Sequence, residues 1–260
     1  MSDAPIIRVQ DAAQRFGART IFRDVSFTVD AGEVFVILGG SGCGKSTVMK
    51  QLIGLLPPTA GQIEVFGRTI TGSGREAALR EVQRRMGVMF QSGALFGSMS
   101  LLENVMLPLE MFTDLPPDGR EAVARVKLGL VGLADSATLM PAEISGGMAR
   151  RAGIARAMAL DPPLLLLDEP SAGLDPITSA GLDRLILDLR HDLGATFVVV
   201  THELASILAI ADRCIMLDRN AYPDAGGAIA TGDPRVLRDT STHPIVRAFF
   251  RREVPVPAAV

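Results

Sequence analysis

Gly39-Gly40-Ser41-Gly42-Cys43-Gly44-Lys45-Ser46 decides how this chain is read. It fits G-x-x-x-x-G-K-S, the spacing of a phosphate-binding loop. The solid apolar run 34–38 before it reads as a strand buried on both faces. Residues 46–56 after it read as a helix, closed by Pro57-Pro58. Glycines let the backbone curl until several N–H groups face one anion. The helix N-terminus adds dipole charge of the right sign. Lys45 can then reach the β- and γ-phosphates of a nucleotide, and the Ser46 hydroxyl can ligate Mg²⁺. Cys43 fills a variable position in the loop; a redox-sensing thiol is the alternative.

A matching acid lies far along the chain. Leu164-Leu165-Leu166-Leu167-Asp168-Glu169 reads as a buried strand ending in two carboxylates. Asp168 is placed to hold Mg²⁺, and Glu169 to accept a proton from an attacking water. Outward from these two anchors, strand-like alternation marks Ile6 to Val29, with short strands at 62–66 and 86–90. From about 101 to 158 the apolar spacing is helical, interrupted at Pro116-Pro117-Asp118-Gly119. Strands return at 164–167 and 196–200, with a helix at 179–191 between them and an edge strand at 226–232. Alternating strand and helix implies a parallel α/β sheet, here with a helical block inserted in its middle.

Composition narrows the class. The 260 residues are 48% hydrophobic, yet no apolar run approaches the ~18 residues that span a bilayer. Two cysteines are too few for a disulfide framework and point to a reducing compartment. A net charge of −3 gives no global attraction to nucleic acid, so no nucleic-acid partner is expected. The N-terminus has neither a basic n-region nor an apolar h-region, so no secretory signal is expected.

Ile144-Ser145-Gly146-Gly147-Met148-Ala149-Arg150-Arg151 selects among nucleotide machines. Here the chain resembles the ATP-binding subunits of ABC transporters, with Ser145-Gly146-Gly147 as the signature motif upstream of the acidic strand. A hydroxyl and bare N–H groups at a helix start also make a second anion site on physical grounds. The resemblance implies a P-loop NTPase (RecA-like) α/β core, an antiparallel β subdomain and an inserted α-helical subdomain. It places the ATP-binding domain at 1–250, with the core about 1–91 and 160–235, the helical subdomain about 92–159, and a C-terminal helix and extended tail at 236–260. Nucleotide contacts fall on Gly39, Gly40, Ser41, Gly42, Cys43, Gly44, Lys45, Ser46 and Thr47, with Phe16 stacking on adenine. Gln91 is implied as the Q-loop glutamine on Mg²⁺ and water, Asp175 as part of the D-loop, and His202 as the switch histidine. Catalysis would rest on Glu169, His202, Gln91 and Lys45, and Mg²⁺ on Ser46, Gln91 and Asp168. Two copies would pair head to tail, each ATP held between Lys45 of one and Ser145 of the other.

Met148-Ala149-Arg150-Arg151 replaces the commoner end of the signature. With Gln91-Ser92-Gly93-Ala94-Leu95-Phe96 and Leu107-Pro108-Leu109 it is similar to the subgroup that serves phospholipid transport with MCE-domain partners, the Mla type. That implies an integral membrane permease, an MCE-domain protein and in some systems a STAS-domain regulator. It also implies a peripheral location on the cytoplasmic face of the inner membrane. Eight of the eleven methionines lie between Met86 and Met158, and Leu95, Phe96 and Met99 are the candidates for a permease-docking groove. An amphipathic helix is expected at 243–250. The alternatives are an ABC ATPase for amino acids or solvents, a soluble ABC protein acting on ribosomes or DNA, and a binding module without hydrolysis.

Overall fold

The computed structural model describes residues 4–253, so the extended tail expected at 254–260 lies outside the described residues. Apolar alternation from Ile7 folds as two long antiparallel strands, β1 (Ile7–Phe16) and β2 (Arg19–Val29). The solid run becomes β3 (Val34–Gly39), buried along its whole length. The phosphate loop leads into α1 (Lys45–Leu52), which stops sooner than the spacing predicts because Gly54 takes φ 74. Next come β4 (Ala60–Val65) and the short β5 (Arg68–Thr69), which complete an antiparallel sheet in the order β2-β1-β4-β5.

The middle of the chain begins with α2 (Glu76–Gln83) and β6 (Met86–Met89). α3 (Leu101–Phe112) starts at a capping box: Ser100 accepts from the Glu103 N–H while the Glu103 carboxylate accepts from the Ser100 N–H. α4 spans Pro117–Leu130. The expected interruption separates α3 from α4 at 113–116, and Pro117-Asp118-Gly119 open the second helix, because proline suits the first helical turn where no N–H is required. α5 (Gly146–Ala157) carries the signature residues at its start. β7 (Leu164–Asp168), α6 (Pro176–Leu193) and β8 (Thr196–Val200) follow. α6 begins earlier than expected: Asp175 caps it, accepting from the Ile177 and Thr178 N–H groups at 3.0 Å each. β6, β7 and β8 lie side by side and parallel, in the order β8-β7-β6. Leu164 to Leu167 and Phe197 to Val200 are buried, as both-face coverage of parallel strands requires.

The last stretch holds α7 (Leu204–Ile210), β9 (Arg213–Asp218), β10 (Gly227–Gly232), α8 (Pro234–Thr240) and α9 (Pro244–Arg251). β9 pairs parallel with β3 and antiparallel with β10. α9 is the expected amphipathic helix, with Val246, Ala248 and Phe250 buried. By packing, the chain forms two units, Met1–Arg75 with His202–Val260, and Glu76–Thr201. This division keeps β6, β7 and β8 with the helices. The motif-based boundaries near 91 and 160 instead follow the change from strand to helix. The mixed parallel and antiparallel sheets flanked by helices are those of a P-loop NTPase.

Candidate nucleotide site

The first unit carries the phosphate loop. β3 delivers Gly39 at φ 147, and Gly42 and Gly44 take φ 75 and 103. Gly44 is the N-cap of α1, a left-handed position where a Cβ would meet the Phe22 ring at 2.7 Å. A Cβ on Gly40 or Gly42 would meet nothing within 4 Å, so the loop encloses open space beside its backbone N–H groups. The Lys45 Nζ folds back to donate to Gly39 O at 2.9 Å and Gly40 O at 3.2 Å. An ammonium held over the loop by two carbonyls is placed to exchange them for phosphate oxygens. Ser46 is exposed and Thr47 half-buried in the first turn of α1, and Ser41 is exposed on the loop. Cys43 is buried, and burial pushes its thiol up, which suits a packing residue better than a reactive one. Phe16 ends β1 as an exposed ring beside the Gly17 turn, free of the core as a stacking aromatic must be. His202 opens the returning stretch of this unit with its ring half in solvent, 3.8 Å from the Glu203 carboxylate.

The second unit carries the carboxylates, the glutamine and the signature. Asp168 ends β7, and Glu169 follows at φ 48, its N–H donating to Val200 O at 2.8 Å. A side-chain residue in this backbone region is held by its surroundings, and Arg150 supplies part of them. It reaches from α5, buried, and donates to Pro170 O at 3.2 Å and Ala172 O at 3.0 Å. Asp175 closes the same loop as the cap of α6. The hydrogen bond from Thr178 and the N–H groups of Thr178 and Ile177 hold its carboxyl below the usual carboxylate range. Gln91 is exposed directly after β6. Ser145 caps α5, accepting from the Met148 N–H at 3.3 Å, and Ser145 and Gly146 face solvent. Gly147 is buried, and a Cβ there would come within 2.6 Å of Thr178 Cγ2. Glycine thus lets the signature end of α5 lie against α6.

Residues 22–172 match the family model described as ABC transporter. The chain belongs to the ABC transporter family. It is 42% identical over 238 residues to "Intermembrane phospholipid transport system ATP-binding protein MlaF" of Escherichia coli K12, covering 90% of this chain and 88% of that protein. It is also 42% identical over 252 residues to "Probable ribonucleotide transport ATP-binding protein mkl" of Mycobacterium tuberculosis H37Rv, covering 96% of this chain and 68% of that one. Among solved structures, the dimeric post-hydrolysis state of the ATP-binding cassette MJ0796 bound to ADP and Pi matches with TM-score 0.76 and 28% identity. The match covers 87% of this chain and 98% of that one. The chain is an ABC ATP-binding subunit, and ATP hydrolysis is its activity.

For an ABC subunit a second feature of the Glu76–Thr201 unit bears on function. A groove of about 550 Å³ is lined by Phe90, Phe96, Leu107, Met111 and Phe112, with Arg80, Arg84 and Arg156 also lining it. Four of those apolar side chains are exposed: Phe90, Phe96, Met111 and Phe112. Of the three expected docking residues only Phe96 lines the groove. Leu95 and Met99 are not among the residues that line it. Of the methionines, Met86 and Met111 line the groove, whereas Met89 and Met158 are core. Sequence reading passed over Asn104, Arg150 and Arg156. The available signal was three arginines, Arg150, Arg151 and Arg156, in a Gly- and Ala-rich helix, where an exposed face needs neither glycine nor alanine.

Proposed function

We propose that this ABC subunit hydrolyses ATP to drive a transporter that moves phospholipids or related lipids between membranes. The observation that carries this reading is 42% identity to the phospholipid-transport ATP-binding protein MlaF over nine-tenths of the chain. The relative named for ribonucleotide transport is equally identical but is covered over only 68% of its length. No helix among the described residues is long and apolar enough to cross a membrane. We place the membrane-crossing part in a separate permease, with this subunit held at the cytoplasmic face of the inner membrane, on its likeness to the phospholipid-transport ATP-binding protein. The apolar groove beside Phe96 supports a seat for a permease helix. An MCE-domain protein and a STAS-domain regulator complete the proposed assembly.

ATP hydrolysis here is mostly positioning and charge neutralisation. The phosphate loop of residues 39–47 cradles the phosphates with N–H groups, and Lys45 offsets their charge. Phe16 stacks on the base. The hydroxyl of Ser46 in the first unit, and the amide oxygen of Gln91 and a carboxylate oxygen of Asp168 in the second, are each hard oxygen donors of the kind Mg²⁺ accepts. When bound, Mg²⁺ supplies charge neutralisation at the β- and γ-oxygens. Glu169 takes a proton from the attacking water, and His202 donates to the γ-phosphate. Ser145 and Gly146 present an exposed helix N-terminus to the nucleotide of a second copy, with buried Gly147 behind them, and Asp175 serves the pairing face. The dimeric cassette MJ0796 supports such pairing.

Glu169→Gln tests the base: it should abolish turnover by about 10²-fold or more while ATP stays bound. Hydrolysis at the wild-type rate would remove Glu169 from that role. Purification from the native membrane with mass spectrometry of copurified protein and lipid tests the substrate. An MCE-domain protein and phospholipid are expected; a permease that brings neither would overturn the lipid reading.

A further inference from the structure

Directly after Gln91 the backbone makes an uncommon turn. Ser92 (φ 63, ψ 13), Gly93 (φ 79) and Ala94 (φ 46, ψ 42) are left-handed in succession. Residues with a Cβ seldom take this conformation, and consecutive ones persist only where the surroundings over-determine them. Those surroundings come from α5 and α3. Gly93 sits so close to α5 that a Cβ would come within 2.5 Å of Ala149 O. A Cβ on Gly153 would come within 2.8 Å of Gly93 Cα, so neither glycine can be enlarged.

Arg156, one turn beyond Gly153 on the same helix, also holds the turn. Its Nη2 donates to Gly93 O at 3.0 Å and its Nη1 to Ala94 O at 2.9 Å, and its guanidinium lies 5.7 Å from the Phe96 ring centre. Asn104, fully buried on α3, closes the next stretch. Its Oδ1 accepts from Phe96 N–H at 2.8 Å and from Arg156 Nη1 at 3.4 Å. Its Nδ2 donates to the carbonyls of Phe96, Met99 and Ser100 at 3.0–3.1 Å. Every polar atom of that amide is therefore spent on the segment after Gln91. Two fixed donors in one plane are what an arginine offers and a lysine does not.

We propose that Arg156 and Asn104 are positioning residues that latch the left-handed turn 92–94 and so set where Gln91 stands. Ala94, Phe96 and Arg156 also line the apolar groove. A helix seated there presses on the same side chains that hold the turn, so docking and the placement of Gln91 are set by one latch. This rests on the reading of Gln91 as a contact to Mg²⁺ and water and of the groove as the permease seat.

The test uses the full chain assembled with its membrane permease and reads kcat and KM for ATP hydrolysis. Gln91→Ala is the reference: if the wild-type complex turns over and Gln91→Ala matches it, the reading of Gln91 fails independently of the latch. With Gln91→Ala impaired, Arg156→Ala should lower kcat by about 10-fold or more, as ångström-scale misplacement does. KM should stay within about 2-fold, because the phosphate loop is untouched. Arg156→Lys should rescue little. Adding Ala94→Gly to Arg156→Ala should restore most of the lost kcat, since glycine holds positive φ without a latch. A merely structural arginine would give the opposite, since an added glycine only loosens the segment. Wild-type kcat in Arg156→Ala, or no recovery in the double variant, overturns the proposal. Should Arg156→Ala fail to fold, Asn104→Asp with and without Ala94→Gly carries the same expectations and the same refutation.

Discussion

Gly147→Ala isolates the packing of the signature helix. The new Cβ would stand 2.6 Å from Thr178 Cγ2, and the next neighbour, Thr178 Cβ, is 4.0 Å away. One methyl group is thus the entire obstacle. Overpacking a close contact costs about 1–3 kcal/mol. Alanine in place of glycine inside a helix returns at most about 1 kcal/mol, and less in the first turn, where Gly147 lies. The single variant should therefore lose about 1–2 kcal/mol. Thr178→Ser removes Cγ2 but keeps the hydroxyl that serves Asp175, and deleting one half-buried methyl costs about 0.5 kcal/mol. In the double variant the Cβ meets only an ordinary van der Waals neighbour. Its stability should return to within about 0.5 kcal/mol of wild type, a favourable coupling of about 1–2 kcal/mol. Urea denaturation of the four proteins, with m-values compared, measures this cycle. Additive losses with no coupling would refute the placement of α5 against α6. Trapping ATP-bound dimers with Glu169→Gln in each background adds a functional reading. Closure should weaken in Gly147→Ala and recover with Thr178→Ser.

Gly44→Ala forces a Cβ into a backbone at φ 103 and to 2.7 Å from the Phe22 ring. Strain and overpacking together should cost about 2–4 kcal/mol, and the melting-temperature rise on adding ATP should vanish. Burial pushes the Cys43 thiol up, and the Cys214 thiol up to about 12. At pH 7.5 both should react with a maleimide far more slowly in the folded chain than in urea, and raising the pH to 9 should leave the folded rates low. Fast labelling of Cys43 in the native protein would revive the redox-sensor alternative. The Asp175 carboxyl is held low by Thr178 and the N–H groups it caps. Its ionised form therefore stabilises the fold above the unfolded value of about 3.9, and that contribution fades as pH falls through the lower folded value. Asp175→Ala should melt below wild type at pH 7, with the gap narrowing as pH falls below about 3.9; a constant gap would refute the charge-based account.

Much of the fold was legible because its signals are local. A glycine-lysine-serine loop between an apolar run and a helix needs no partner to be recognised, and β3, β7 and β8 are runs buried on both faces. The short helices α2, α7 and α8 were not foreseen. At seven or eight residues their helicity comes from packing rather than from periodicity. The break at Pro116 was legible but the start of α4 at Pro117 was not, because Pro-Pro-Asp-Gly is turn chemistry in isolation and helix-start chemistry once a helix follows. The candidate loop and carboxylates were legible as residue types at motif spacing, whereas the glutamine and the signature were implied by the family resemblance.

The sequence by itself determined the chemistry available to this protein, from the Lys45 loop to the Asp168-Glu169 pair, because those groups act by identity and short-range spacing. Only the tertiary structure decided which surface is left open and what holds the active segments still. Phe96 lines the groove while Leu95 and Met99 do not. Arg150 and Arg156 spend their guanidinium donors on the carbonyls of two loops. The physical reason is that a long polar side chain carries no pattern of its own. Its partners are backbone atoms 20 to 63 positions away, and only the packed chain brings them within hydrogen-bond reach.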